Sequence, residues 1–222
     1  MGTLFFICHI CYHFLFIGVC LRKLFVVSDF ILQIYYFYIL YLQMNYTIRK
    51  IEPKDNLKIA SIIRNVFEEL DAPKVGTAYA DPHLDSLSEV YQAENEVYFV
   101  VETSHDLSVH QKGSDLSVHQ NEDSIILGGC GIGNLIDAEF KICELQKMYL
   151  TKEARGKGIA QELLKKCLEF AKQAGYNQCY LETLPFMKDA QKLYVKSGFT
   201  YIDAPLGCTG HSACHVFMIK DL

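Results

Sequence analysis

The 222-residue sequence lacks an excess of positive charge: 21 Lys and Arg stand against 26 Asp and Glu, a formal net charge of −5. Nucleic acid, whose binding is built on phosphate neutralisation, is therefore not an expected partner. The sequence also lacks a paired cysteine framework. Its nine cysteines are scattered, which argues for free thiols in a reducing compartment, the cytoplasm, rather than for a disulfide scaffold. Cys8 and Cys11 form a CxxC beside His9 and His13, but no second ligand pair follows at zinc-finger spacing, so no metal is expected there. No GxxxxGK[ST] occurs, which excludes a P-loop.

Absences also mark off the first 43 residues. They contain no Ala, Pro, Asn or Glu, and Phe, Ile, Tyr and Leu fill 25 of the 43 positions. No cation precedes the first apolar run and no small-residue cleavage site follows it, which argues against a secretory signal. The run "LFFICHICYHFLFIGVCL" (4–21) approaches the length of a membrane span, and "FILQIYYFYILYL" (30–42) is a second, set apart by Arg22, Lys23 and Asp29. One account is a membrane anchor. The other is an upstream stretch outside the functional protein, because A/T-rich codons encode these four residues by default and Met44 opens "MNYTIRKIEPKDN" like a natural start. Both put the chemistry after Met44, so the chain divides into an extension, 1–43, and a folded domain, 44–222.

From Met44 onward the patterning alternates between strand and helix. "YTIRKIE" (46–52) reads as a strand. Pro53 and Asp55 open a helix to about Leu70, with Ile59, Ile62, Ile63, Val66 and Phe67 on one face. A short helix is predicted over 84–93, and strands over 96–103, 124–135 and 141–150. A long helix follows from about Gly158 to Ala174, its apolar positions Ala160, Leu163, Leu164, Cys167, Leu168 and Ala171 at helical spacing and Gly175 at the cap position. A strand (177–183), a helix (187–197) ending at Gly198 and strands over 199–203 and 214–221 complete the domain. Within it DLSVHQ occurs twice at a period of nine, in "SHDLSVHQK" (104–112) and "GSDLSVHQN" (113–121). Solenoid repeats are longer and more numerous. A tandem duplication at a hairpin tip is the plainer account, and His110 and His119 read as solvated loop residues rather than metal ligands.

One stretch puts glycines and cations where a helix should be nucleating: "EARGKGIAQELL" (153–164). Gly costs a helix about 1 kcal/mol relative to Ala. A helix N-terminus offers unpaired N–H groups and a partial positive charge, and glycines let the backbone approach an anion. Arg155 and Lys157 add charge, so the place suits a phosphate or pyrophosphate. The upstream "GGCGIG" (128–133) lacks the third glycine of a dinucleotide fingerprint and no helix follows it, so its glycines read as a strand near a ligand or bulge.

In this region the chain resembles the GCN5-related N-acetyltransferase (GNAT) family. Arg155, Gly158 and Ala160 satisfy its signature Q/R-x-x-G-x-G/A, and "AQKLYVKSGF" (190–199) matches A-x-x-L-Y-x-x-x-G-F at Ala190, Leu193, Tyr194, Gly198 and Phe199. The likeness spans about residues 46–221. Met187 departs from it, since the family often has Asn there, which touches a polar contact near the cofactor and not the fold. The resemblance implies an α/β (α+β) GNAT fold: a mixed, mostly antiparallel sheet of six to seven strands, flanked by about four helices, with a splayed strand pair holding the cofactor. It implies acetyl-CoA as cosubstrate, with its pyrophosphate at Arg155, Gly156, Lys157, Gly158, Ile159 and Ala160. Its pantetheine arm would run beside Met148, Tyr149 and Leu150, bonding the backbone as an added strand would.

Acyl transfer to an amine needs a base for the ammonium, a donor for the thioester oxygen and an acid for the leaving thiolate. The resemblance makes Tyr194 the acid. Glu144, eleven residues ahead of Arg155, stands at the spacing of family members that use a strand glutamate as base, with Glu182 and His211 in reserve. "GCTGHSACH" (207–215) reads as a Gly-rich loop lining the acceptor pocket rather than a zinc site. The implied activity is acetylation of a primary amine on a small molecule or amino acid. The alternatives are a protein N-terminus or lysine as acceptor, or a non-catalytic acetyl-CoA sensor, which would not need Tyr194. A membrane enters only through residues 1–43, and a homodimer stays open.

Overall fold

The computed structural model describes residues 46–103, 124–136 and 141–222. The apolar extension 1–43 and the duplicated nonapeptide lie outside the described residues. Seven strands form one sheet: β1 (Tyr46–Lys50), β2 (Val97–Thr103), β3 (Ile126–Asn134), β4 (Ile142–Leu150), β5 (Gln178–Thr183), β6 (Thr200–Ile202) and β7 (Val216–Asp221), in the order β1-β2-β3-β4-β5-β7-β6. Every neighbouring pair is antiparallel except β4 and β5. The helices are α1 (Asn56–Glu69), α2 (Leu87–Val90), α3 (Ile159–Gln173) and α4 (Lys188–Lys196).

The two long helices cover opposite faces. Tyr98 and Val100 of β2 join the cluster made by Ile59, Ile63 and Phe67 of α1. Phe99 meets Phe170 of α3 edge-on, with ring centroids 6.1 Å apart. With both faces covered, β2 reads as a continuous apolar run rather than an alternating one. Helix α3 buries Leu163, Leu164, Cys167 and Ala171 of the stripe that its spacing predicts, and Ile159 in place of the half-buried Ala160. Leu168, also placed on that stripe, is not among its buried residues.

The start of α1 is built by Asp55. Its carboxylate accepts from Glu52 N at 2.8 Å and from both terminal nitrogens of Arg49 at 2.6 and 2.9 Å. The helix predicted over 84–93 is shorter: a 3₁₀ turn at Leu84–Ser86 leads into α2, and the chain leaves the helical region at Tyr91. That departure lays the Tyr91 ring against Tyr98, 5.4 Å between centroids, and over β3. At the end of α4, Gly198 (φ +91°) takes the left-handed turn that L-residues disfavour. This folds Phe199 back onto Tyr194, ring centroids 5.9 Å apart.

Candidate active site

Strands β4 and β5 pair in parallel over only three residues, Ile142–Glu144 against Gln178–Tyr180. Beyond Glu144, β5 pairs with β7 alone, so β4 from Leu145 to Leu150 offers an open backbone edge towards β5. This is the splay that a bound pantetheine arm requires. The other edge of β4 is irregular as well. Its register against β3 shifts between Gly129 and Gly131, which pair with Tyr149 and Gln146. Lys147 sits in the resulting bulge with φ +51°, a conformation that costs a non-glycine residue about 1–2 kcal/mol. Tyr98 Oη donates to Lys147 O at 3.0 Å and pins the bulge.

Glu144 stands at the point where the strands part, 5% exposed. Burial raises its carboxyl above the ordinary carboxylate range. A hydrogen bond from Gln146 and the charges of His211 and Lys147 oppose the rise, and Glu182 adds to it. Gln146 Nε2 donates to Glu144 Oε2 at 2.6 Å, and Tyr91 Oη donates to Gln146 Oε1 at 2.7 Å. The Tyr91 contact fixes the amide, so that its nitrogen faces Glu144. The glycines of "GGCGIG" make room for this chain. A Cβ on Gly131 would meet the Tyr91 ring and one on Gly133 the Gln146 amide, while one on Gly129 would meet Tyr98. The strand-and-bulge reading of these glycines is correct, but the close neighbours are this protein's own side chains.

Charged groups gather where the 207–215 loop meets the β4 bulge. Asp81 binds Lys147 Nζ at 2.6 Å and His211 Nε2 at 3.1 Å. Burial alone would raise the Asp81 carboxyl, but the His211 and Lys147 hydrogen bonds and charges together outweigh it and hold it at about 2. Glu182 accepts from Tyr180 Oη at 2.7 Å and from Thr209 Oγ1 at 2.9 Å. Tyr91, Gln146 and Asp81 were not singled out from the sequence. Only Gln146 carried a local signal, standing two residues from Glu144 on the same strand face.

Tyr194, 7% exposed, points its hydroxyl at Met148 Sδ, 3.9 Å away on the open segment of β4. Burial pushes its phenol well above the ordinary value, so it carries its proton across the neutral range. Tyr149 lies beneath β4 with its ring 5.5 Å from Phe67, and Leu150 pairs with Gly128.

The loop 155–160 joins a 3₁₀ turn (Lys152–Ala154) to α3. Gly156 (φ +73°) and Gly158 (φ +83°) are left-handed, and a Cβ on either would meet nothing within 4 Å. Gly158 is the N-cap of α3 and Ile159 its first, buried residue; Ala160 is half-buried. Arg155 is differently occupied from the loop cation expected of it. Its Nε donates to Leu150 O at 3.1 Å, and both terminal nitrogens bind Glu69 at 2.9 Å. Its charge is thus balanced by a carboxylate, and it ties the loop to the end of α1. Thr151 Oγ1, at the root of the loop, is the buried side-chain oxygen among the described residues that has no hydrogen-bond partner. An open strand edge, a glycine-lined helix N-terminus and an unsatisfied hydroxyl together fit a long, amide-bearing, phosphorylated ligand such as acetyl-CoA. Among the described residues no group of three or more His, Cys, Asp or Glu is placed to hold a metal.

Comparison with known proteins agrees with this geometry. The acetyltransferase (GNAT) family matches over residues 78–199. The Escherichia coli K12 protein YjgM, an uncharacterised N-acetyltransferase, is 42% identical over 176 residues, 78% of this chain and 93% of that protein. Human N-acetyltransferase 8B is 32% identical over 107 residues, 47% of this chain and 44% of that protein. Among solved structures, a GNAT acetyltransferase of Staphylococcus aureus superposes with a TM-score of 0.62 at 19% identity, covering 80% of this chain and 99% of its own. A Salmonella typhimurium protein, YncA, a putative acetyltransferase solved with acetyl-CoA, gives 0.57 at 18% identity, covering 80% and 94%. The chain belongs to the GNAT acetyltransferase family. Within that class it is an N-acetyltransferase.

Proposed function

We propose that the protein transfers an acetyl group from acetyl-CoA to the primary amine of a small molecule or amino acid, in the cytoplasm. The observation that carries this reading is Glu144, buried at the mouth of the β4–β5 splay with its carboxyl raised by burial. A base serves best when its pKa lies near the working pH. The reducing compartment is supported by the free thiols, of which Cys130, Cys143, Cys167 and Cys179 are buried.

Acetyl-CoA supplies the acetyl group as an activated thioester. Glu144 takes one proton from the acceptor ammonium and leaves an amine able to attack. The Met148 backbone N–H, on the open segment of β4, is the donor for the carbonyl oxygen as it gains charge. Tyr194 Oη gives its proton to the departing sulfur, and the second proton that the attacking nitrogen sheds as the amide forms restores the phenol. The buried, protonated phenol suits an acid that must not ionise before it is needed. Loop 155–160 and the N-terminus of α3 hold the phosphates.

The test is to incubate the full chain with acetyl-CoA and a panel of amines and amino acids, while following free thiol. The expected result is acceptor-dependent thiol release, lowered about 10²- to 10⁴-fold in Glu144→Gln. Release with no amine of the panel, but with a peptide N-terminus or a lysine peptide, would replace the small-molecule acceptor by a protein. Tight acetyl-CoA binding without turnover on any acceptor would make the chain a sensor.

A further inference from the structure

If Glu144 is the base, the reacting nitrogen must stand beside it, and the sheet fixes what else lies there. Glu144 of β4 pairs with Tyr180 of β5, the last pair before the two strands part. Paired residues project from the same face of a sheet, and so do residues two apart on one strand. Glu182 is therefore on the face of Glu144, one strand across and two residues on. At ordinary strand spacings their Cα atoms are about 8 Å apart, and more as the strands splay. Both oxygens of the half-buried Glu182 are held: Tyr180 Oη donates to Oε1 at 2.7 Å and Thr209 Oγ1 to Oε2 at 2.9 Å. Each hydroxyl in turn accepts a backbone N–H, Tyr180 Oη from Leu206 at 3.3 Å and Thr209 Oγ1 from His211 at 3.2 Å. Their protons are thus directed at Glu182.

These donors orient the carboxylate but bring it no positive charge. Elsewhere in the domain Asp55, Glu69, Asp81 and Asp85 have both oxygens on basic side chains. Among the described residues no lysine, arginine or histidine forms an ion pair with Glu182; its partners are the two hydroxyls. Lys147, three residues beyond Glu144, is taken up by Asp81 at 2.6 Å. A half-buried carboxylate, fixed in direction and lacking a counter-charge, is satisfied by a cation brought to it. We propose that Glu182 binds a second cationic group on the acceptor, so that the acceptor is an alkyl diamine rather than a free amino acid. This rests on Glu144 acting as the base. One nitrogen reacts at Glu144, and the other stays an ammonium on Glu182 and holds the chain across the mouth of the splay. An acceptor carboxylate in its place would meet Glu182 with like charge. Glu182 takes no proton in this scheme: it determines specificity.

The test gives the full chain acceptors that share a butyl chain and differ at the far end: tetramethylenediamine, n-butylamine and γ-aminobutyrate. Thiol release is followed with each. A charge-assisted hydrogen bond should favour the diamine over butylamine by about ten- to a hundredfold in kcat/KM, with γ-aminobutyrate below both. In Glu182→Gln, which keeps the size and an oxygen for the hydroxyls, the diamine's advantage should vanish. The loss should appear in KM and not in kcat, because the far ammonium makes the same contact in the ground and transition states. Wild-type rates with the diamine no better than with butylamine overturn the proposal, and this comparison stands even if Glu182→Gln does not fold. An unchanged ratio in Glu182→Gln overturns it too, whatever happens to the overall rate, and a kcat loss shared by every acceptor would make Glu182 a base. If the diamine releases no thiol while another amine does, the diamine is overturned and the acetyltransferase reading stands. No release with any acceptor overturns that reading itself.

Discussion

Gln146 holds Glu144 by a 2.6 Å hydrogen bond, with its amide turned the right way by Tyr91, 2.7 Å behind it. The bond stabilises the carboxylate over the acid and so works against the burial that raises Glu144. Gln146→Leu removes the donor and leaves the burial. The carboxyl should rise further, and because a base must be ionised, the acid limb of kcat/KM should shift to higher pH. A hydrogen bond to a charged group contributes about 1.5–3 kcal/mol, so the limb should move by about one to two pH units. A pH–rate profile checks both the direction and the recovery at alkaline pH that distinguishes a shifted base from a damaged fold.

Tyr194→Phe separates acid catalysis from packing. The hydroxyl's contact within the protein is the 3.9 Å approach to Met148 Sδ, a weak interaction, while the ring's edge-on contact with Phe199 is unaffected. Thermal stability and acetyl-CoA affinity should stay close to wild type, and kcat should drop about 10²- to 10⁴-fold. Single-turnover kinetics beside a thermal melt would show this, and an unchanged kcat would give the protonation of the thiolate to water.

Gly158 allows backbone strain to be told from electrostatics. At φ +83° with open space around it, an alanine meets no clash but adopts a disfavoured conformation, costing about 1 kcal/mol. For a domain of this size that is a drop of about 2–4 °C in Tm. Gly158→Glu should cost a similar amount in stability yet lose far more acetyl-CoA affinity, because its carboxylate would oppose the phosphates at the helix start. Calorimetric titration of the two variants side by side decides it. Equal affinities would remove the pyrophosphate from this loop.

What the sequence made legible was local. Four of the six stripe positions of α3, the strands and the cap glycines Gly175 and Gly198 depend on neighbours a few residues away, and they lie where periodicity and turn chemistry put them. The glycine loop and Tyr194 were legible through their motifs. Partners brought in from afar were not. Arg155 meets Glu69 across 86 residues, Gln146 meets Tyr91 across 55, and Asp81 meets His211 across 130. No spacing rule connects such pairs, because the sheet order that joins them exists only after folding. The "GGCGIG" glycines show the same limit: a need for bare backbone could be read, but not that Tyr91, Tyr98 and Gln146 create it.

The duplicated nonapeptide lies outside the described residues, but both of its anchors are described. Thr103 N donates to Ile125 O at 2.9 Å, Ile125 N to Thr103 Oγ1 at 3.1 Å, and Ser124 Oγ to Glu102 Oε2 at 3.0 Å. These bonds, all between described residues, close the base of the β2–β3 connection. Both strands are also gripped further in, β2 by β1 and β3 by β4. Loop closure costs only about 0.6 kcal/mol per doubling of length. Deleting Gly113–Asn121 should therefore leave the register of β2 on β3 intact, raise stability slightly, and keep kcat/KM within about twofold, a change of about 0.4 kcal/mol in barrier. Denaturant unfolding and steady-state kinetics on the deleted chain measure both. A tenfold loss of activity with stability preserved would mean that the repeat reaches the acceptor, and His110 and His119 would be the first residues to substitute.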